Sequence, residues 1–417
     1  MAETLADTLM PAVVLGIDTP IGLAIIRDLG RRGVPVIGIA HSASGLGLRS
    51  RYLTRGLVRP GGGAAGLVQQ LRQLSSEIGP ACLFAIAETD IAALNLERAQ
   101  LGGYRLMFAD TARMERVLHK DQTYAAATAV GIHVPRTLHP ASLEQAAAAA
   151  PGLRYPVILK WADPNGAMQP LRRAGLSLDK LRYCADADEL MAGLRRYEAV
   201  GIYPMVQEFC AGYGLGQFVL MRDGQAHCLF QHRRVHEWPP EGGVSTLCES
   251  LPPDQHTALM AQSVALLRAL DWEGVAMVEY RYDPATGRAA LMEINGRFWG
   301  SLPLACQAGA AFPWYAYQLL GLGRPVAQAP YVTGLRARFM VPETKRLWRV
   351  LTRKPSDGYV PPAGPLAEVA GYLLDFVRPG TRYFVHSWRD PMPLLSDLWL
   401  TARRLLPALR IPQRRKT

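Results

Sequence analysis

Apolar residues in the first hundred positions fall into two alternating rhythms. Ala12-Val-Val-Leu15, Val34-Pro-Val-Ile-Gly-Ile39 and Ala81-Cys-Leu-Phe-Ala-Ile86 are short, almost unbroken apolar runs, the pattern of strands covered on both faces. Between the first two, Leu23, Ile26 and Leu29 recur at helical spacing, which predicts a helix with one apolar face. Strand, helix and strand in that order predict an α/β chain opening with a doubly wound parallel sheet over residues 11–112. Gly16 and Gly22 after the first run do not reproduce Gly-x-Gly-x-x-Gly. They read as tight strand-to-helix packing, and the missing motif argues against an NAD(P)-dependent nucleotide-sugar enzyme.

After residue 112 the rhythm changes. Thr111–Asp121 and Tyr124–Val130 read as helical, stopped by Gly131-Ile-His-Val-Pro135. Tyr155-Pro-Val-Ile-Leu-Lys160-Trp and Tyr203-Pro-Met-Val-Gln-Glu208-Phe read as strands on either side of a helix at Ala187–Tyr197. Gly212-Tyr-Gly-Leu-Gly216 leads into a strand pair, Gln217–Met221 and Ala226–His232, and His256–Leu270 is a further helix. Next come Val275-Ala-Met-Val-Glu279-Tyr-Arg-Tyr282 and Ala290-Leu-Met-Glu293-Ile-Asn295-Gly-Arg297, flanking the turn cluster Asp283-Pro-Ala-Thr-Gly287. Two β-prone runs about such a turn predict a hairpin with Glu279 opposite Glu293, or one residue out of register.

That hairpin brings in the first chemistry. Glu293 and Asn295 share a strand face because side chains alternate with period two. Both glutamates lie within apolar runs, where an uncompensated carboxylate is costly. Two carboxylates and an amide oxygen converging on one face suit a hard cation such as Mg²⁺ carrying nucleotide phosphates.

Composition narrows the class. The chain has 417 residues, 49% hydrophobic and 19% charged, enough for two or three domains with real cores. The net charge of +11 is uneven: Tyr331–Thr417 holds 16 Lys and Arg against 6 Asp and Glu, and the preceding residues 30 against 29. The body is therefore not a nucleic-acid binder by charge. Six scattered cysteines without a Cys-x-x-Cys indicate neither zinc nor a disulfide framework and fit a reduced, cytoplasmic compartment. The N-terminal Met-Ala-Glu-Thr-Leu-Ala-Asp lacks the basic region of a signal peptide, and no apolar stretch approaches spanning length.

In order, Lys120, Gly131-Ile-His-Val-Pro135, Pro156-Val-Ile-Leu-Lys160, Val206-Gln-Glu208-Phe, Glu279 and Glu293-Ile-Asn295 resemble the ATP-grasp superfamily, whose ligases activate a carboxylate as an acyl phosphate. The resemblance covers about residues 11–320. It implies a pre-ATP-grasp parallel sheet over 1–112, a two-lobed ATP-grasp domain with an antiparallel sheet over 113–325, and a basic C-terminal extension over 326–417. It also implies that Lys120 and Lys160 contact ATP, that Gln207, Glu208, Phe209 and Cys210 form the adenine-binding edge, and that Glu279, Glu293 and Asn295 hold Mg²⁺, with Mn²⁺ as a substitute. His232 and Arg234 on one strand face resemble the basic pair that biotin carboxylase places on the phosphates, and Arg297 the arginine it keeps against the reacting phosphate and carboxylate. An ATP-dependent ligase joining a small carboxylate to an amine, with release of ADP and phosphate, is the implied activity. A homodimer is compatible with it.

Two features depart from that pattern. The segment Asp163-Pro-Asn-Gly-Ala-Met-Gln-Pro-Leu-Arg-Arg-Ala-Gly175 is longer and poorer in glycine than a phosphate-covering loop. Arg172, Arg173 or Lys180 could share the phosphate work, or the loop is degenerate. In the tail, Leu394, Leu395, Leu398, Trp399, Leu405, Leu406 and Leu409 recur at helical spacing beside Arg403, Arg404, Arg410, Arg414, Arg415 and Lys416. A basic amphipathic helix of this kind can lie on an anionic membrane surface, and prolines 391, 393, 407 and 412 interrupt it. The alternative function is therefore a catalytically weak nucleotide-binding protein serving a membrane-associated assembly of polysaccharide or secondary-metabolite synthesis.

Overall fold

A computed structural model describes residues 9–162, 164–179, 181–240, 242–352 and 364–405, with the side chains of 164, 165 and 400–405 left aside. The N-terminal apolar runs become parallel strands: β1 (Ala12–Leu15), β2 (Val36–Ala40), β3 (Arg55–Val58), β4 (Ala81–Phe84) and β5 (Tyr104–Leu106). Their order is β3-β2-β1-β4-β5, a sheet wound outward in both directions from β1. Every residue of β1, β2 and β4 is buried, which is why none of them alternates in sequence. Gly16 has a left-handed φ of 74°. A Cβ on Gly22 would fall 2.7 Å from the Ile17 Cα, so strand and helix pack backbone to backbone there.

A small sheet follows: β6 (Thr137–Leu138), β7 (Val157–Lys160), β8 (Arg182–Cys184) and β9 (Met205–Glu208), ordered β6-β9-β7-β8. Val157, Leu159, Leu190, Leu194 and Val206 give it a core of its own. A seven-stranded sheet forms the opposite lobe: β10 (Tyr213–Arg222), β11 (Gln225–Trp238), β12 (Val244–Ser250), β13 (Gly274–Asp283), β14 (Arg288–Asn295), β15 (Arg336–Arg338) and β16 (Thr381–Tyr383). Its order is β14-β13-β10-β11-β12-β15-β16. All its pairings are antiparallel except β15 with β16.

Two continuous cores tie the large sheet to the N-terminal unit. Leu23, Ile26 and Leu29 share one with Phe218, Phe230 and Trp299. Val13 and Leu15 share the other with Leu215, Val219 and Tyr280. The C-terminal residues close onto this body through Asp390, whose buried carboxylate accepts from Arg27 Nε at 2.9 Å, Ser50 Oγ at 2.7 Å and the Arg51 amide at 2.9 Å.

Candidate active site

The turn at Asp283–Gly287 sets the register of the β13–β14 hairpin, with Glu279 directly opposite Glu293 and Met277 opposite Asn295; a bulge follows Glu279. Like charges paired across two strands repel, so something must compensate them. Asn295 Nδ2 donates to Glu293 Oε1 at 3.0 Å. Arg234 of β11 donates to Glu279.

Arg234 reaches Glu279 only because the intervening strand is stripped of side chains. On β10, Gly216 lies between His232 and Glu279, and Gly214 pairs with Arg281 of β13. A Cβ at Gly214 would meet Arg234 Cδ at 2.7 Å, and one at Gly216 would meet the Phe218 ring at 2.6 Å. Over the bare backbone runs a charge ladder. Glu237 accepts from Arg234 Nη1 at 3.1 Å and from Arg281 Nη2 at 3.0 Å, while Arg234 also donates to the Gly243 carbonyl at 3.0 Å. Hydrogen bonds within such a ladder are charge-assisted and hold the guanidinium in one orientation.

Two lysines face the hairpin. Lys160 ends β7, and Lys120 is the first residue of the helix Lys120–Ala129. Burial pushes the Lys160 ammonium down to about 8; Lys120 pushes the same way, while Glu293 and Glu279 partly restore it. Burial likewise lowers Lys120, against the pull of Glu293. The two carboxylates are driven apart. Burial, aided by repulsion from Glu293 and Glu237, raises Glu279 despite Arg234. Burial also pushes Glu293 up, but its bond from Asn295 and the charges of Lys120, Arg234 and Lys160 outweigh it and hold it below the usual range. Glu293 is therefore the fixed anion of the cleft, its side chain exposed there.

The cleft has a volume of about 350 Å³ and lies between the two lobes. Ile158, Tyr183, Phe209 and Met292 line one end, Arg234, Glu279, Glu293, Asn295 and Arg297 the other. Phe209 is 43% exposed there and meets Tyr183 edge-on at 5.9 Å, leaving an aromatic wall for a flat ring. Glu208 and Cys210 continue this wall, and burial raises the Cys210 thiol. The Gln207 side chain is committed to the scaffold, donating to Thr137 Oγ1 at 2.8 Å and Tyr124 Oη at 3.2 Å.

Two residues and one segment sit differently from the sequence reading. His232 does share the strand face of Arg234, but it lies wholly buried behind the cleft. It stacks on Phe218 at 4.8 Å and bonds Ser301 Oγ at 2.9 Å. Burial, then Arg234, push its pKa down to about 3, so it is neutral and offers phosphate no charge. Arg297 lines the cleft, but its Nε donates to Glu88 of the N-terminal unit at 2.9 Å. The segment after Lys160 is a helix, Pro164–Arg173. Its Ala167 and Leu171 bury against Trp161 and Tyr197, which accounts for the scarcity of glycine. Lys180 lies outside the described residues.

Gly214, Gly216, Glu237, Arg281 and Ser301 were not singled out from the sequence. The signal was present in Gly212-Tyr-Gly-Leu-Gly216: glycines at every second position leave one face of a strand bare.

The donor set fits a divalent cation. Two carboxylates in register and an adjacent amide are the hard oxygen ligands Mg²⁺ prefers, and Glu293 is held ionised without an arginine of its own. Among the described residues no cluster of three His, Cys, Asp or Glu side chains offers an alternative metal centre.

Residues 205–341 match the family described as ATP-grasp in the biosynthetic pathway with Ter operon. No curated protein matches the chain in sequence. Among solved structures, the chain resembles the biotin carboxylase domain of Hydrogenobacter thermophilus 2-oxoglutarate carboxylase, solved with MgADP and bicarbonate. The TM-score is 0.61 at 13% identity, over 79% of this chain and 73% of that one. It is also similar to an L-amino acid ligase from Bacillus licheniformis, with a TM-score of 0.54 at 17% identity over 77% and 76% of the two chains. N5-carboxyaminoimidazole synthetase from Staphylococcus aureus gives a TM-score of 0.57 at 12% identity over 79% and 82%.

Proposed function

We propose that this chain, with its ATP-grasp-like fold and family match over residues 205–341, is an ATP-dependent ligase joining a small carboxylate to an amine. The observation that carries this reading is the in-register Glu279–Glu293 pair with Asn295 beside it, facing Lys120 and Lys160 across a cleft with an aromatic end. The named activities of the L-amino acid ligase and the carboxyaminoimidazole synthetase support the same reaction class.

Adenine would lie against Phe209 and Tyr183 on the edge that runs from Gln207 to Cys210, its triphosphate reaching between Lys160 and the hairpin. Glu279, Glu293 and Asn295 would hold Mg²⁺, which when bound neutralises phosphate charge. The lysine ammonium groups then bind and orient the triphosphate as mobile point charges. Arg234, fixed by Glu237 and the Gly243 carbonyl, binds Glu279 and holds it in place. Arg297, released from Glu88, would meet the reacting phosphate and carboxylate. The substrate carboxylate oxygen attacks the γ-phosphorus and ADP leaves. The amine then attacks the acyl carbon, phosphate leaves and a proton is lost. Positioning and preorganised charge carry most of such phosphoryl transfer.

One observation favours a second reading. The helix Pro164–Arg173 stands where a glycine-rich phosphate cover would be, as a nucleotide binder of weak turnover would tolerate. ADP release, screened over amino acids and sugar acids with amine acceptors, separates the two. Substrate-dependent ADP release supports the ligase. Nucleotide binding with no release across the panel supports the second reading.

A further inference from the structure

The helix Pro365–Val377 is built inside out. Its two carboxylates, Glu368 and Asp375, are buried, at 6% and 5% exposure. Glu368 accepts from Arg346 Nη2 at 2.6 Å, and Asp375 accepts from Arg336 Nη1 at 3.1 Å. Its large apolar side chains face outward instead: Leu366 is 88% exposed, Val377 77%, Leu374 63%, Leu373 58% and Phe376 48%. A helix folded for water turns its apolar stripe inward and its charges out. Contiguous exposed apolar area of this kind marks an interaction surface.

The surroundings select the occupant. Trp348 and Trp388 on the neighbouring segments are 71% and 88% exposed. Phe376 borders a cavity of about 1010 Å³ that is also lined by Arg31, Arg382, Trp388 and Arg389. On the other flank Leu374 and Val377 share a recess with Arg378. Among the described residues from 336 to 390 all four carboxylates, Glu343, Glu368, Asp375 and Asp390, are buried in ion pairs. Arg378, Arg382 and Arg389 remain exposed.

Leucines and phenylalanine outward, tryptophans beside them, and a cationic rim with its carboxylates withdrawn match an interface of acyl chains beneath anionic headgroups. A second copy of the chain fits less well, because a two-fold contact would set this rim against itself. We propose that the outer face of helix Pro365–Val377, with Trp348, Trp388 and the flanking arginines, docks on an anionic phospholipid surface. No helix among the described residues is long and apolar enough to cross a membrane, so the docking is peripheral as far as those residues go.

The test is co-sedimentation of the full chain with vesicles of phosphatidylcholine alone or with one-third phosphatidylglycerol. The wild type should bind the anionic vesicles, and raised salt should weaken binding. The triple variant Leu366→Gln, Leu373→Gln, Val377→Gln should weaken it roughly tenfold or more. A tail variant with Arg410→Gln, Arg414→Gln, Arg415→Gln and Lys416→Gln should retain most of it. As a measurement independent of variant folding, tryptophan emission of the wild type should shift to the blue on adding anionic vesicles. The proposal is overturned if the wild type neither sediments nor shifts, or if the triple variant, melting like wild type, binds equally well. It is also overturned if only the tail variant loses binding, or if the face proves to hold a dimer that the triple variant splits.

Discussion

Two pairs of carboxylates serve opposite ends in this molecule. Glu368 and Asp375, on the inner side of helix Pro365–Val377, are bound by Arg346 and Arg336, which also bind Glu343 and Glu249, so each carboxylate is closed into a buried ion-pair network. Glu279 and Glu293, on the hairpin, face each other across two strands; Arg234 binds Glu279, and Glu293 opens into the cleft. A carboxylate sealed into an ion-pair network is a strut. A like-charged pair with one member open to the cleft, and two partly desolvated lysines nearby, is arranged for a charge that arrives from outside. The difference lies in access: protein closes off the first pair and leaves Glu293 of the second open.

The largest expected effect follows from that difference. Glu293→Ala should lower ADP release by about 10³-fold or more, the order expected when a charge-positioning group is lost from a phosphoryl-transfer site. Its melting temperature should hold or rise, because the repulsion with Glu279 is gone. Glu368→Ala should do the reverse. Arg346 keeps Glu343 but loses its shorter carboxylate contact, and denaturant unfolding should show a loss of about 1–3 kcal/mol, with nucleotide binding unchanged. If the two variants behaved alike, the distinction between strut and site would be lost.

Gly214→Val comes next. Its side chain would occupy the place of Arg234 Cδ, so Arg234 must leave Glu279 or the strand must shift. We expect about 1–3 kcal/mol of overpacking and a loss of turnover in steady-state assays that exceeds any loss of ATP affinity. Wild-type turnover in this variant would show that the Arg234–Glu279 contact is dispensable.

The smallest effect is a pH profile. Lys160 is protonated below about 8, so ATP binding measured by calorimetry should weaken as pH rises through that value, by about twofold to tenfold over one unit. Lys160→Met should bind less tightly at every pH and lack the step. The sign for stability is the opposite. The folded state holds this proton less firmly than the unfolded chain does, so the penalty of burying the ammonium fades as pH rises above about 8.

The fold was largely legible because buried strands announce themselves. β1, β2 and β4 are unbroken apolar runs, and Asp283–Gly287 fixed the hairpin register to within a residue. The cleft was less so. Glu279 and Glu293 stand out as acids inside apolar strands, but whether His232 faces a ligand or a core depends on Phe218 and Trp299, which are distant in sequence. Arg297 gives no hint of Glu88, 209 positions away. The helix at Pro164–Arg173 was hidden by its two prolines and a glycine, which read as loop until Trp161 and Tyr197 supply its packing. The inverted helix Pro365–Val377 is also invisible in one dimension, since its periodicity is ordinary and only the direction it faces is not.

The central claim is that the hairpin is the phosphate end of an ATP-consuming site. It is tested most directly by ADP release from Mg-ATP by wild type and Glu293→Ala over a panel of carboxylates with amine acceptors. The account predicts substrate-dependent ADP release by the wild type that Glu293→Ala abolishes while retaining its fold. Release that survives Glu293→Ala unchanged would contradict it.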